Sequence, residues 1–320
     1  METVLDYLYM EAFCHGLAVI CTDDEQKGMM DKSGKVILPP IYDWICCSEK
    51  YEYVIAEKGG FYQFYDNDKR MTWIRGRYGV LDLDGRVLIP FEYSEIMWCS
   101  EDCLRVESDE KFGVINLQNE IVLPLEYDWL GYPYENGWMV AEREGKWGII
   151  TLKGEIIIPF VYDSIQTEGL KESGLILAKY KGVYFLMNPE GERILTLNEG
   201  EGKKVVGCGD FYAGRLVVAV EDTDGTASGQ KKKGMIDTAG RWMIPPVYDD
   251  VRHTGGEYVL VKQGATGDDS FISISGKCGV VDLNNNIVLP IEYEGADWLM
   301  SENGDCWNIK NAAGLWGVVN

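Results

Sequence analysis

Nine cysteines, two histidines, and tyrosine–acid pairs that recur along the chain are the residues through which this sequence could do chemistry. Pro-x-x-Tyr followed by an acidic or small polar residue occurs at Tyr42-Asp43, Tyr93-Ser94, Tyr127-Asp128, Tyr162-Asp163, Tyr248-Asp249 and Tyr293-Glu294. A ring of such carboxylates would suit a hard cation, but six to eight oxygens must then converge at about 2.3–2.6 Å. Positions in separate repeat units are too far apart for that. The pairs read better as turn chemistry, with the carboxylate bonding a nearby backbone N–H and the tyrosine burying its ring. Cys46, Cys47, Cys99 and Cys103 follow consecutive repeat tyrosines and would be the thiols to gather for zinc. No C-x-x-C spacing supports a tetrahedral site there, so no metal is expected. Cys14-His15 with Cys21 carries no more weight. No nucleophile elbow, phosphate-binding glycine loop or H-E-x-x-H helix is present, so no catalytic residue and no cofactor is assigned.

Aromatic residues outside the repeat rule point instead to recognition. Trp44, Trp98, Trp129 and Trp298 follow the tyrosine–acid element in four units. Phe61, Tyr62, Phe64, Tyr65 and Trp73 crowd one long insertion, residues 58–76, which is more aromatic than a solvated loop needs. Together these nine are the candidate ligand-binding residues. Further insertions, at residues 221–233 and 262–276 and a weaker one at 22–27, fall at the same connection of other units. Loops held on a rigid scaffold carry recognition, so they are expected on one face.

The elements that must position these residues are short strands. Upstream of each tyrosine–acid pair lies a glycine, two apolar residues, a small polar residue, two more, then Gly or Asn. Gly148-Ile149-Ile150-Thr151 to Gly154 is typical. Thr151 to Gly154 reads as a turn, Glu155 to Ile158 as the return strand, and Pro159 as the end of ladder pairing. The unit at Phe185-Leu186-Met187-Asn188 lacks both the glycine and the Pro-x-x-Tyr. An aromatic precedes the glycine at Tyr78, Phe112, Trp147 and Trp316, where a side chain buried between units is expected. Nothing shows a helical period over three turns. The spacing predicts an all-β chain of four-stranded antiparallel meanders, one domain over residues 1–320 with about eight units. These form a closed seven- to eight-bladed propeller, with an open β-solenoid or superhelix as the alternative.

The stretch Gly145-Lys146-Trp147-Gly148 through Pro159-Phe160-Val161-Tyr162-Asp163, echoed at Trp316-Gly317, resembles the WG-repeat (KWG) family of bacterial proteins. The resemblance implies a repeat β scaffold and a binding role, and offers no catalytic residues to carry over.

Charge narrows the partners. Thirty Lys and Arg against 52 Asp and Glu leave a net −22, which opposes binding to nucleic acid or to anionic membranes. An odd cysteine count without a secretory leader predicts reduced thiols in the cytoplasm. The function expected is non-catalytic: a scaffold recognising a protein or peptide through loops on one face. Alternatives are a hydrolase with a carboxylate pair at a channel mouth and a structural component of an assembly.

Overall fold

The computed structural model describes residues 7–65, 70–197, 199–200, 203–221, 231–254, 256–264, 276–301 and 304–319, with the side chains at 62–65, 70–72, 199–200, 203, 210, 297–301, 304–306 and 319 left aside. The chain is all-β. Its one helix among the described residues is the four-residue Leu170–Ser173. No helix there is long and apolar enough to cross a membrane.

Strands pair with their sequence neighbours in antiparallel meanders. The first sheet runs Tyr9–Met10, Leu17–Cys21, Lys27–Asp31, Val36–Tyr42. The second is Trp44–Cys47, Tyr53–Lys58, Arg77–Asp82, Val87–Tyr93. Five more sheets repeat the scheme, one with five strands, and the last, from Gly295, has three. The repeat tyrosine closes the outermost strand of one sheet, and the first strand of the next sheet starts two residues later. The chain divides into two compact units, Met1–Phe160 and Val161–Asn320.

The middle strands of the second, third and sixth sheets are apolar on both faces because a sheet packs on either side of them. Successive strand residues point to opposite faces. Val54 and Ala56 therefore join Val19, Met29 and Leu38 of the first sheet. Tyr53 and Ile55 join Ile96, Leu104 and Val106 of the third. In the second unit, Leu216 and Val218 pack with Leu177 and Leu186, whereas Val217 packs with Val251 and Val259.

A small polar residue at the end of the strand before the outermost one builds the same turn in the first seven sheets. Asp31 Oδ1 accepts the N–H groups of Ser33 and Lys35 at 2.8 and 3.0 Å. Asn116 accepts from Gln118 and Glu120, Thr151 from Lys153 and Glu155, and Asp282 from Asn284 and Asn286. These bonds hold the carboxyl groups below their ordinary range. At Asp31 the Ser33 hydroxyl contributes most, then the Lys35 N–H. At Asp282 the Asn286 side chain leads. At Asp237 burial pushes the other way and is outweighed by the donors of Arg241 and Ala239. A depressed carboxylate stabilises the fold above its unfolded pKa, about 4, and that stabilisation is lost as pH falls through the folded value. Acid should therefore lower the urea midpoint. The triple variant Asp31→Asn, Asp237→Asn, Asp282→Asn should fold at pH 7, because Asn116 and Asn188 already hold this turn. Its midpoint should fall less between pH 5 and 3; an unchanged slope contradicts the assignment.

Three expectations need correction. Pairing does not end at the repeat proline: Ile156–Tyr162 is one strand that contains Pro159. In the equivalent strand the register slips, with Val114 opposite Leu123 but Phe112 opposite Tyr127. The proline sits on the outermost strand, where its missing N–H need not leave a ladder partner unbonded. Secondly, the aromatic before the glycine is not uniformly core. Tyr78 is buried, Phe112 and Trp147 are half-buried, and Trp316 is exposed. Trp147 leans on Trp129, ring centroids 5.3 Å apart, at the sheet margin. Thirdly, not all thiols are free: Cys14 and Cys47 form a disulfide with Cα atoms 6.4 Å apart. The strand ending at Cys47 lies beside the turn carrying Cys14, a proximity invisible in a 33-residue separation.

Candidate functional site

The acid that follows the repeat tyrosine organises the neighbouring hairpin. Asp128 accepts the N–H of Gly145 at 3.2 Å, and Asp163 that of Gly182 at 3.2 Å. Each glycine is the second residue of a two-residue turn with positive φ throughout: Glu144 54° and Gly145 69°, Lys181 50° and Gly182 80°. Such turns match the twist of paired strands. A lysine seventeen residues upstream supplies the counter-charge. Lys111 binds Asp128, Lys232 binds Asp249 at 2.5 Å, and Lys277 binds Glu294 at 2.5 Å.

The first unit departs from this pattern at Asp43. The residue seventeen positions upstream is Gln26, whose amide donates to Asp43 Oδ1 at 3.1 Å. The other oxygen accepts the Gly60 N–H at 2.7 Å. Asp43 is thus satisfied in hydrogen bonds without a cation. Beyond Lys58 the tight turn is replaced by an inserted hairpin, Phe61–Tyr65 paired with Arg70–Ile74, and Lys58 resumes pairing opposite Arg77. Its neck is drawn in tightly. A Cβ on Gly76 would lie 2.3 Å from the Lys58 carbonyl oxygen, and one on Gly60 would lie 2.1 Å from the Trp73 indole. Buried Glu57 clamps the neck, accepting the Gly76 N–H at 2.7 Å and the Tyr78 hydroxyl at 2.9 Å. Burial first, and then the bond to Glu57, push the Tyr78 phenol up to about 12.

A pocket of about 480 Å³ opens between this hairpin and the loop before Lys27. It is lined by Asp24, Glu25, Gln26, Asp43, Trp44, Glu57, Gly60, Phe61 and Trp73. Among the described residues, four carboxylate residues and no basic residue line it. Phe61 and Trp73 are exposed, and half-buried Trp44 stands edge-on against Tyr78 at 6.0 Å.

Three of the nine candidate residues, Trp44, Phe61 and Trp73, therefore line one pocket. The side chains of Tyr62, Phe64, Tyr65 and Trp298 lie outside the described ones, as do residues 222–230 and 265–275 of two insertions. Trp98 and Trp129 lie elsewhere. Trp98 stacks on Tyr51 at 5.6 Å with a 13° interplanar angle, and Trp129 stands against Trp147. Sequence reading missed Asp24, Glu25, Gln26 and Glu57 as lining residues. The signal that could have found them is Gln26, which stands where the acid's lysine partner stands in three other units.

The thiols do not assemble as a foursome. Cys47 is bonded to Cys14, and burial raises Cys46 and pushes Cys99 up to about 12. Among the described residues, the one metal-capable trio is Cys14, His15 and Glu49, with ligand atoms within 4.8 Å of one another. Its sulfur is held in the disulfide.

The WG containing repeat matches residues 28–62, 78–112, 112–147, 147–184 and 234–265. The chain belongs to that family. No curated protein matches it. Among solved structures, a crystal structure of the eukaryotic initiation factor is 10% identical, with 96% of this chain and 86% of that one covered, at TM-score 0.45. The Neurospora crassa Pan2 WD40 domain is 14% identical over 86% and 87%, at TM-score 0.34. The WD40 β-propeller domain of Doa1 is 10% identical over 80% and 88%, at 0.27. At these TM-scores they add nothing to the fold, which the chain's own strand pairing defines.

Proposed function

We propose that this WG-repeat protein is a non-catalytic scaffold that recognises a protein or peptide through loops on one face. The observation that carries the reading is the pocket itself. Two insertions at the same strand-to-strand connection of adjacent sheets converge there, and the longer one brings Phe61 and Trp73 beside Trp44 of the adjoining strand. Aromatic residues in concave, partly desolvated places dominate recognition energetics. The hydrolase reading gains nothing from this geometry. Asp43 and Glu57 share the pocket, but each of their four oxygens already accepts a structural N–H or O–H. The charge of −22 supports a partner other than nucleic acid or an anionic membrane. Ring closure and a single domain over residues 1–320 belong to the same proposal; one calorimetric transition for the intact chain would support it, two would oppose it. A cytoplasmic setting belongs to it too, with the Cys14–Cys47 disulfide weighing against a reducing compartment.

The test exploits the compact turns of sibling sheets. Lys58 and Arg77 face each other across the ladder as Arg143 and Lys146 do. Replacing residues 59–76 by Glu-Gly should leave a two-residue turn whose glycine N–H still reaches Asp43. The shortened protein should keep its far-ultraviolet circular dichroism and unfold cooperatively. Quantitative pull-down from the native host should show its partner lost. A folded variant that retains the same partner refutes the assignment.

A further inference from the structure

We propose that the pocket receives a lysine side chain of the partner polypeptide, held by its ammonium charge against aromatic walls. This rests on the pocket being the recognition site and adds the chemistry of what enters it. Three observations converge. Among the described residues the lining is one-signed: Asp24, Glu25, Asp43 and Glu57 with no Lys, Arg or His. The fold's own means of neutralising the motif acid is missing here, because Gln26 replaces the lysine that pairs with Asp128, Asp249 and Glu294. An incoming lysine restores the charge pairing that the other sheets make internally. The remaining walls are Trp44, Trp73 and Phe61, and indole faces attract cations within about 6 Å of the ring.

The choice of ammonium over guanidinium follows from hydrogen bonding. Arginine gains most from a carboxylate that can accept two parallel bonds. Asp43 has Gln26 on one oxygen and Gly60 on the other, and Glu57 has Gly76 and Tyr78. Both offer charge more readily than an open two-oxygen edge. A compact point charge on an apolar stem uses what is offered. The stem covers aromatic surface while the head stays near the carboxylates. The volume, about 480 Å³, is within the roughly 300–1,000 Å³ of small-ligand pockets and accommodates such a side chain.

Four capped pentapeptides, Gly-Gly-X-Gly-Gly with X as lysine, trimethyl-lysine, arginine or norleucine, probe this by isothermal titration calorimetry. The lysine peptide should bind at least tenfold more tightly than norleucine and several-fold more tightly than arginine. Its affinity should fall as salt rises. Trimethyl-lysine retaining the affinity assigns the attraction to the aromatic walls; losing it assigns the attraction to ammonium hydrogen bonds. Both keep the cationic occupant. Gln26→Lys is the decisive variant. It installs the residue that Lys111, Lys232 and Lys277 represent in other sheets, so the fold has a place for it, and it should cut lysine-peptide affinity at least tenfold. Equal binding of lysine and norleucine, no binding of either, or unchanged affinity in Gln26→Lys overturns the proposal. If the hairpin-shortened protein loses its partner while the peptides do not discriminate, the site stands and the lysine assignment falls.

Discussion

Phe185→Gly is expected to cost at least about 3–5 kcal/mol, the loss usual for deleting a buried phenylalanine, although it installs the residue that the six Pro-x-x-Tyr units carry. In those units the glycine lies beside the proline-containing strand, and a side chain there would meet that strand's backbone. In the fifth sheet both features are gone together. Arg193–Leu197 has no proline, and it pairs with Val183–Met187 in regular register from Tyr184–Leu197 through Leu186–Leu195. The space a bulge would take is filled by the Phe185 ring, 1% exposed and among the largest fully buried side chains. The ring also lies 5.8 Å from that of Tyr162. The family residue would leave a cavity and loosen the strand. Urea denaturation measures this, and a midpoint within error of wild type would show that the sheet refills the space.

Gly148→Ala is the converse. Gly→Ala within a strand ordinarily stabilises by about 0.5–1 kcal/mol. Here a Cβ would stand 2.7 Å from the Ile158 carbonyl oxygen and 3.1 Å from the Phe160 ring. The oxygen belongs to the backbone and cannot swing aside, so a destabilisation of about 1–3 kcal/mol is expected. Gly207→Ala is the control. Its Cβ would make only an ordinary contact, 3.6 Å from Ala219, so the substitution should be neutral or stabilise by up to about 1 kcal/mol. Equal midpoints for the two variants would remove the close approach as the reason for the glycine.

This pairing of glycine with proline shows what sequence could and could not convey. Strand order was legible because each unit is a meander with local turns, and the turn residues Asp31, Asn116 and Thr151 announce themselves. The path of the fourth strand was not. Pro159 reads as a terminator when the partner strand is unknown, and its tolerance depends on an outermost position and on Gly148. The candidate site was half legible. The insertion of residues 58–76 stands out by length and aromatic content, and Trp44, Phe61 and Trp73 do line the pocket. Trp129 occupies the same place after its tyrosine as Trp44, but the turn beside it is the compact Glu144–Gly145 instead of an inserted hairpin, and its ring stands against Trp147. Trp98 lies further along its strand and packs on Tyr51. The carboxylates were hidden among 52 acidic residues. Glu57 reads as the end of a buried strand until the hairpin neck folds over it.

The most direct measurement is amide hydrogen exchange of the intact protein with and without its captured partner. Added protection should centre on residues 24–26, 43–44, 57–61 and 73–76, which bring the two insertions to the pocket. It should disappear in the variant with residues 59–76 replaced by Glu-Gly. Protection confined to other sheets, with exchange at these segments unchanged by a bound partner, would contradict the pocket as the recognition site.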